Sequence, residues 1–111
     1  MDLYNELQQK IKELEISIKQ LRTSGTKYAQ AERDYKVLLR VETLKLRDGG
    51  MAIGLIDKTC YGIPEVAEAR FKRDVAKTVY TANLEAINSI KLQMRLLENQ
   101  IQREYGSQIS Q

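Results

Sequence analysis

The sequence predicts an all-α protein: a long antiparallel helical hairpin, coiled-coil-like, with a short helix at its tip, assembling into a homo-oligomeric helical bundle. Three observations carry this reading. Two stretches repeat apolar residues at alternating steps of four and three, which makes a heptad seam. These are Leu7, Ile11, Leu14, Ile18 and Leu21 near the start, and Ile87, Ile90, Met94, Leu97 and Ile101 near the end. Proline occurs once in 111 residues, so little interrupts a helix. Charged residues make up 30% and aromatics 6%, with no Trp, which suits a helical chain better than a β fold or a disordered tail.

The chain reads as one helical domain over 1–111, and its first arm spans 2–47. Asp2 is placed to cap the arm's first turn. Thr23-Ser24-Gly25-Thr26 are residues of turn type. Yet the heptad frame carries on through them to Gly25, Tyr28, Glu32 and Tyr35. This favours a continuous helix, or one kinked at 23–26, with Gly25 on the seam where a missing side chain permits close approach or a bend. A turn between two helices is the alternative.

The segment 48–63 joins the arms. It is too long and too apolar for a simple turn. Ala52, Ile53, Leu55, Ile56 and Cys60 are spaced for a short amphipathic helix capped by Gly62. Such a connection either plugs the open end of a bundle or carries function.

The second arm spans 64–106. Pro64 suits a first helical position, where its missing N–H is no loss. Glu65 and Glu68 complement the helix dipole. Gly106, coming after Arg103, is placed to end the arm as a left-handed cap, leaving 107–111 as a frayed polar tail. Such a helix is about 63 Å long, so it needs an equally long partner. Folding the first arm back along it opposes Leu21 with Ile90, Tyr28 with Asn83 and Tyr35 with Ala76. Tyr28 and Asn83 then form a buried polar pair that fixes register, unless Asn83 simply faces solvent. Val37, Val41, Leu44, Val79, Leu84 and Leu92 fall beside the seam, a wider apolar stripe than two helices bury. Hairpins are therefore expected to pair into an even-numbered homo-oligomer.

Most catalytic chemistry lacks its residues. Without His there is no Ser–His or Cys–His dyad and no histidine metal site. Cys60 alone builds no zinc site and reads as a buried small hydrophobe. Glu65 with Glu68, and Glu32 with Asp34, read as dipole and solvation charges and not as a glycosidase pair. Gly49-Gly50 lacks the Gly-Lys-Ser/Thr ending of a phosphate loop. No enzyme, metal or cofactor is expected. A lone Cys cannot form an internal disulfide, which points to a reducing compartment. With no signal peptide and no apolar run long enough for a bilayer, the expected place is the cytoplasm.

A binding role has more support. Arg40, Lys45 and Arg47 end the first arm; Arg70, Lys72 and Arg73 begin the second; Lys58 and Tyr61 lie between. Arg forks bind phosphate bidentately, and a Tyr ring stacks on a base. Repeated around a symmetry axis, such groups suit a small anionic ligand such as a nucleotide. The alternative is a solvated charged end, with Glu42, Asp48 and Asp74 close by. The net charge is +3 with no basic tail or arm, which makes nucleic acid a weaker expectation.

Several stretches carry a resemblance: Lys27-Tyr28-Ala29, Ala31-Glu32 with Tyr35-Lys36, Arg70 with Arg73-Asp74 and Ala76, Glu85-Ala86-Ile87-Asn88 with Ile90-Lys91, and Gln100-Ile101 with Arg103-Glu104-Tyr105-Gly106. In this general pattern the chain resembles small uncharacterised early-region proteins of phages of Gram-positive bacteria. The resemblance implies a replication or recombination accessory, or a counter-defence protein, in the host cytoplasm. Some counter-defence families are small helical oligomers that sequester host immune signalling nucleotides, cyclic or ADP-ribose-derived, and others block a host defence protein. Three readings stand side by side: a sequestering or blocking protein, a nucleic-acid accessory whose binding falls steeply with salt, and a structural coiled-coil adaptor for another protein's helix.

Overall fold

The structure, a computed structural model, describes residues 2–110, and side chains through Gly106. It is all-helical: α1 spans Leu3–Asp48, α2 Ile53–Tyr61 and α3 Pro64–Ser110.

Asp2 caps α1. Its carboxylate accepts the Tyr4 N–H at 3.0 Å and its carbonyl accepts the Glu6 N–H at 3.1 Å. The helix runs unbroken through Gly25. One glycine costs a helix about 1 kcal/mol, too little to break one with a packed seam on both sides. The far end closes in a Schellman motif. Gly50 adopts φ 86°, its N–H reaches the Arg47 carbonyl at 3.0 Å, and the Met51 N–H reaches the Leu46 carbonyl at 3.2 Å.

The α2 helix ends at Gly62, whose N–H bonds the Thr59 carbonyl at 3.2 Å, and the Ile63 N–H bonds the Cys60 carbonyl at 3.1 Å. Pro64 opens α3, and the Ala67 N–H bonds the Ile63 carbonyl at 2.9 Å. Gly106 does not end α3, which continues to Ser110. Among the described residues Gly50 is the one glycine with positive φ. The two glycines differ in their next neighbour along the chain. Met51 supplies an apolar residue after the cap, whereas the sequence places the polar Ser107 after Gly106. Of the tail expected to fray, 107–110 continue the helix and Gln111 lies outside the described residues.

The chain divides into two compact units, Met1–Thr23 with Thr81–Gln111, and Ser24–Tyr80. In the first, Leu7, Ile11, Leu14, Ile18 and Leu21 on α1 are half-buried, as are Ile90, Met94, Leu97 and Ile101 on α3, and Ile87 is buried. The Asn83 amide donates to the Gln20 carbonyl at 3.4 Å.

In the second unit, Tyr35, Cys60 and Val66 form a buried cluster, packed about by Leu38, Leu39, Leu46, Ile63 and Ala69. The helices here run antiparallel: Tyr28 packs on Tyr80 with ring centroids 5.8 Å apart, and Glu32 meets Arg73 at 3.3 Å. This register differs from one that opposes Tyr28 with Asn83 and Tyr35 with Ala76. Level with Pro64, α1 still has about a turn and a half to run. The α2 helix folds back beside that overhang, where the Cys60 thiol meets the Leu39 carbonyl at 3.8 Å and the Thr43 hydroxyl at 3.6 Å. Matching the arms by length places the fold-back in the middle of 48–63 and misses this offset.

Candidate functional site

The basic residues of the Ser24–Tyr80 unit sort into three settings. Arg73 turns into the seam. Its guanidinium lies 4.7 Å from the Tyr35 ring centroid and pairs with Asp74 at 2.8 Å and Glu32 at 3.3 Å. The hydrogen bond to Asp74, joined by the charges of Asp74 and Glu32, outweighs partial burial and raises the Arg73 pKa above its usual value. For Glu32, desolvation alone would raise the carboxyl, but the charges of Lys36 and Arg73 and their hydrogen bonds overcome it and hold the pKa below the usual 4.5. Lys36 sits 3.5 Å from Glu32, and Lys45 is paired with Glu42 at 3.2 Å.

A second group stays outward around α2. Arg70 of α3 lies over the Tyr61 ring at 5.5 Å, and both side chains are exposed. Lys58 is exposed on the same short helix. On α1, Lys36, Arg40, Thr43 and Arg47 are spaced by four, three and four, so they share one stripe. Thr43 in that stripe touches Cys60 of α2, so the stripe flanks the short helix. Arg40, Arg47 and Lys58 make no ion pair among the described residues. The structure thus brings Tyr61 and Arg70 into contact, sets Arg40, Arg47 and Lys58 on the elements around them, and commits Arg73 and Lys45 to partners within the chain.

Lys72 opens in a third direction. With Lys27, Asp34, Glu65 and Glu68 it rims a groove of about 650 Å³ floored by Ala31, Leu38, Pro64 and Ala69. An adjoining cleft of about 320 Å³ shares Lys27 and Lys72 and is walled by Phe71, Val75, Ala76 and Val79. A separate cleft of about 680 Å³ lies beside the Tyr28–Tyr80 pair, lined also by Gly25, Ala29, Glu32, Arg33 and Lys36. A Cβ built on Gly25 would meet the Tyr80 ring at 3.7 Å.

Sequence reasoning had not singled out Tyr80, nor Glu32 as the partner of Arg73. A signal was available. The heptad of Ile87 carried backwards lands on Asn83, Tyr80, Ala76, Arg73, Ala69 and Val66, and all six are buried or half-buried. An arginine on a seam demands a carboxylate opposite, since a half-buried charge is retained only when paired.

No group of three or more metal-ligating side chains occurs among the described residues, and no helix of theirs is long and apolar enough to cross a membrane. No family model, curated protein or solved structure matches the chain.

Proposed function

We propose that this is a non-enzymatic binding protein that works as a homo-oligomer of paired helical hairpins and holds a small polyanionic ligand of the nucleotide class. The counter-defence role, sequestration of a host immune signalling nucleotide, is the form of this function we favour. One observation carries it: an exposed Arg70 guanidinium stacked on an exposed Tyr61 ring, on a short helix flanked by the Arg40 and Arg47 stripe. An arginine fork binds phosphate and an adjacent ring offers a face to a base. Exposed groups of this kind, outside the scaffold's ion pairs, are free to change contacts when a ligand arrives. Arg73 has no such freedom, so it serves the scaffold in this reading.

Native mass spectrometry of the full chain, with and without a panel of cyclic and ADP-ribose-derived nucleotides, tests the proposal. The expected result is an even-numbered oligomer that gains discrete nucleotide masses. Arg70→Ala should lose the bound mass while keeping the oligomer. An oligomer that ignores every nucleotide overturns the ligand class, and Arg70→Ala with unchanged binding removes this cluster from the site.

A further inference from the structure

We infer that the Tyr61–Arg70 cluster is one station on a track along one flank of α1, and that the track takes a short single-stranded nucleic acid. The inference rests on the reading of that cluster as a nucleotide site and adds a second station for a base and the length of the ligand.

The track is a stripe of α1. Ala29, Arg33, Lys36, Arg40, Thr43 and Arg47 step by four, three, four, three and four, so they line one side of the helix. Four of the six are cations, all four are exposed, and none of the six is acidic. Acidic side chains of this unit gather elsewhere: Asp34, Glu65 and Glu68 rim the groove that Lys27 and Lys72 share. Asp34 lies two residues from Lys36, a turn of about 200° around the helix. Charge that is even along the sequence is thus sorted across α1. Two of the cations have partners, Arg33 with Asp34 at 3.2 Å and Lys36 with Glu32 at 3.5 Å. The side chains of Arg33, Asp34 and Lys36 are 68–70% exposed, and ion pairs this wet are weak enough to exchange for a phosphate. Glu32 then keeps Arg73 at 3.3 Å.

Two aromatic stations flank the stripe. At one, Arg70 lies over the Tyr61 ring at 5.5 Å, next to Cys60, which touches Thr43 of the stripe. At the other, Tyr28 and Tyr80 wall the cleft of about 680 Å³ that Arg33 and Lys36 also line. Gly25 keeps this second station open. A Cβ built there meets only the Tyr80 ring, at 3.7 and 3.9 Å, so a longer side chain would cover the ring.

The spacing of the stations sets the ligand. Arg73 lies level with Glu32 and Tyr35, so Arg70 lies about a turn further along α1. Tyr28 is then roughly ten residues of helix, about 15 Å, from the level of Arg70. At about 3.4 Å per nucleotide of a stacked strand, that is four to five nucleotides. One nucleotide cannot reach both stations, whereas a strand laid along the cations stacks a base at each. Rings spaced along a cationic groove hold single strands in this way. A duplex keeps its base faces within its own stack, so it can use the stripe but not the rings.

Isothermal titration calorimetry of the full chain tests this with three probes: thymidine 5′-monophosphate, single-stranded hexathymidylate and a DNA hairpin with a six-base-pair stem. The hexamer should bind about a hundredfold tighter than the monophosphate and tighter than the hairpin. Its log affinity should fall against log salt with a slope of about −3, as four phosphate contacts on a single strand give. Arg33→Ala with Arg40→Ala should halve that slope. Lys27→Ala with Lys72→Ala removes the same charge from the groove side and should leave the slope unchanged. Gly25→Leu, which alters no charge, should cost the hexamer about tenfold through lost stacking and spare the monophosphate. Should a variant lose helicity by circular dichroism, the wild type irradiated with a hexamer carrying 5-iodouracil gives a second readout; cross-links are expected at Tyr28 or Tyr80 as well as at Tyr61. Equal losses from the two charge pairs, a hairpin bound as tightly as the strand, or cross-links confined to Tyr61 overturn the track and leave the Tyr61–Arg70 site standing. A hexamer that does not bind overturns the track outright, and a monophosphate whose binding ignores Arg70→Ala overturns the site on which it rests.

Discussion

The two units share α1 and α3 yet are built differently. In Met1–Thr23 with Thr81–Gln111, the helices meet along a heptad seam whose members are mostly half-buried, and Ile87 is the one residue among those described that is buried. In Ser24–Tyr80, α2 adds a third element. Behind it Val66 reaches 0% exposure and Cys60 1%, and Arg73 is held by two carboxylates and a ring. A two-helix seam leaves most of its side chains one wet side, because no third surface closes over it. Stability should therefore concentrate where α2 closes the seam.

The largest effect should come from breaking the thicker unit at its centre. Val66→Asp buries a carboxylate in the cluster with Tyr35 and Cys60, and should cost on the order of 4 kcal/mol or more in urea unfolding. A loss below that of an ordinary surface change would contradict the buried cluster.

The thinner unit is tested at Ile87. Ile87→Ala should cost about 2–3 kcal/mol, the lower part of the range for such truncations, since the seam around it can collapse into solvent-facing space. Urea unfolding of this variant beside Val66→Asp gives the ratio directly, and equal losses would erase the distinction between the units.

Two glycines sharpen the comparison because their substitutions should have opposite signs. Gly50→Ala forces a side chain into the left-handed region at φ 86° and should lower stability by about 1 kcal/mol. Gly25→Ala removes a helix-interior glycine, and its Cβ would meet Tyr80 at an ordinary contact distance of 3.7 Å. It should raise stability by up to about 1 kcal/mol. Thermal melts of the pair decide whether Gly25 is kept for packing or is a relaxed position.

The smallest effect is electrostatic. Glu32 titrates below 4.5 in the folded chain because of Lys36 and Arg73. A lowered folded pKa contributes stability that is present above the unfolded value and is lost as pH falls through the folded one. The stability gap between wild type and Glu32→Gln should therefore be constant near neutrality and shrink below about pH 4.5. A gap that widens in acid would reverse the assignment of Glu32 as partner to Arg73.

Much of the fold was legible because helices are written locally. The steps from Leu7 to Leu21 and from Ile87 to Ile101 mark one face of each helix, and Pro64 marks a helix start by its own covalent geometry. The apolar spacing of Ile53 to Cys60 similarly announces α2. The candidate site was legible only as a set of charges near one turn of the chain. Which of them are committed to the scaffold depends on neighbours distant in sequence: Glu32 holds Arg73 in the seam, while Tyr61 keeps Arg70 on the outside.

By itself, the sequence determined the helical class, the seam residues and the position of the short helix, since heptad spacing and capping act over a few residues. Only the tertiary structure decided the register, the passage of α3 through Gly106, and the division of the basic residues between scaffold, α2 cluster and groove. Register is chosen by the summed fit of many weak cross-helix contacts. Shifting one helix by a heptad repeat leaves its local pattern intact, so no local signal distinguishes the alternatives; the pairing of Arg73 with Glu32, the Tyr28–Tyr80 contact and the packing of α2 on Leu39 and Thr43 do.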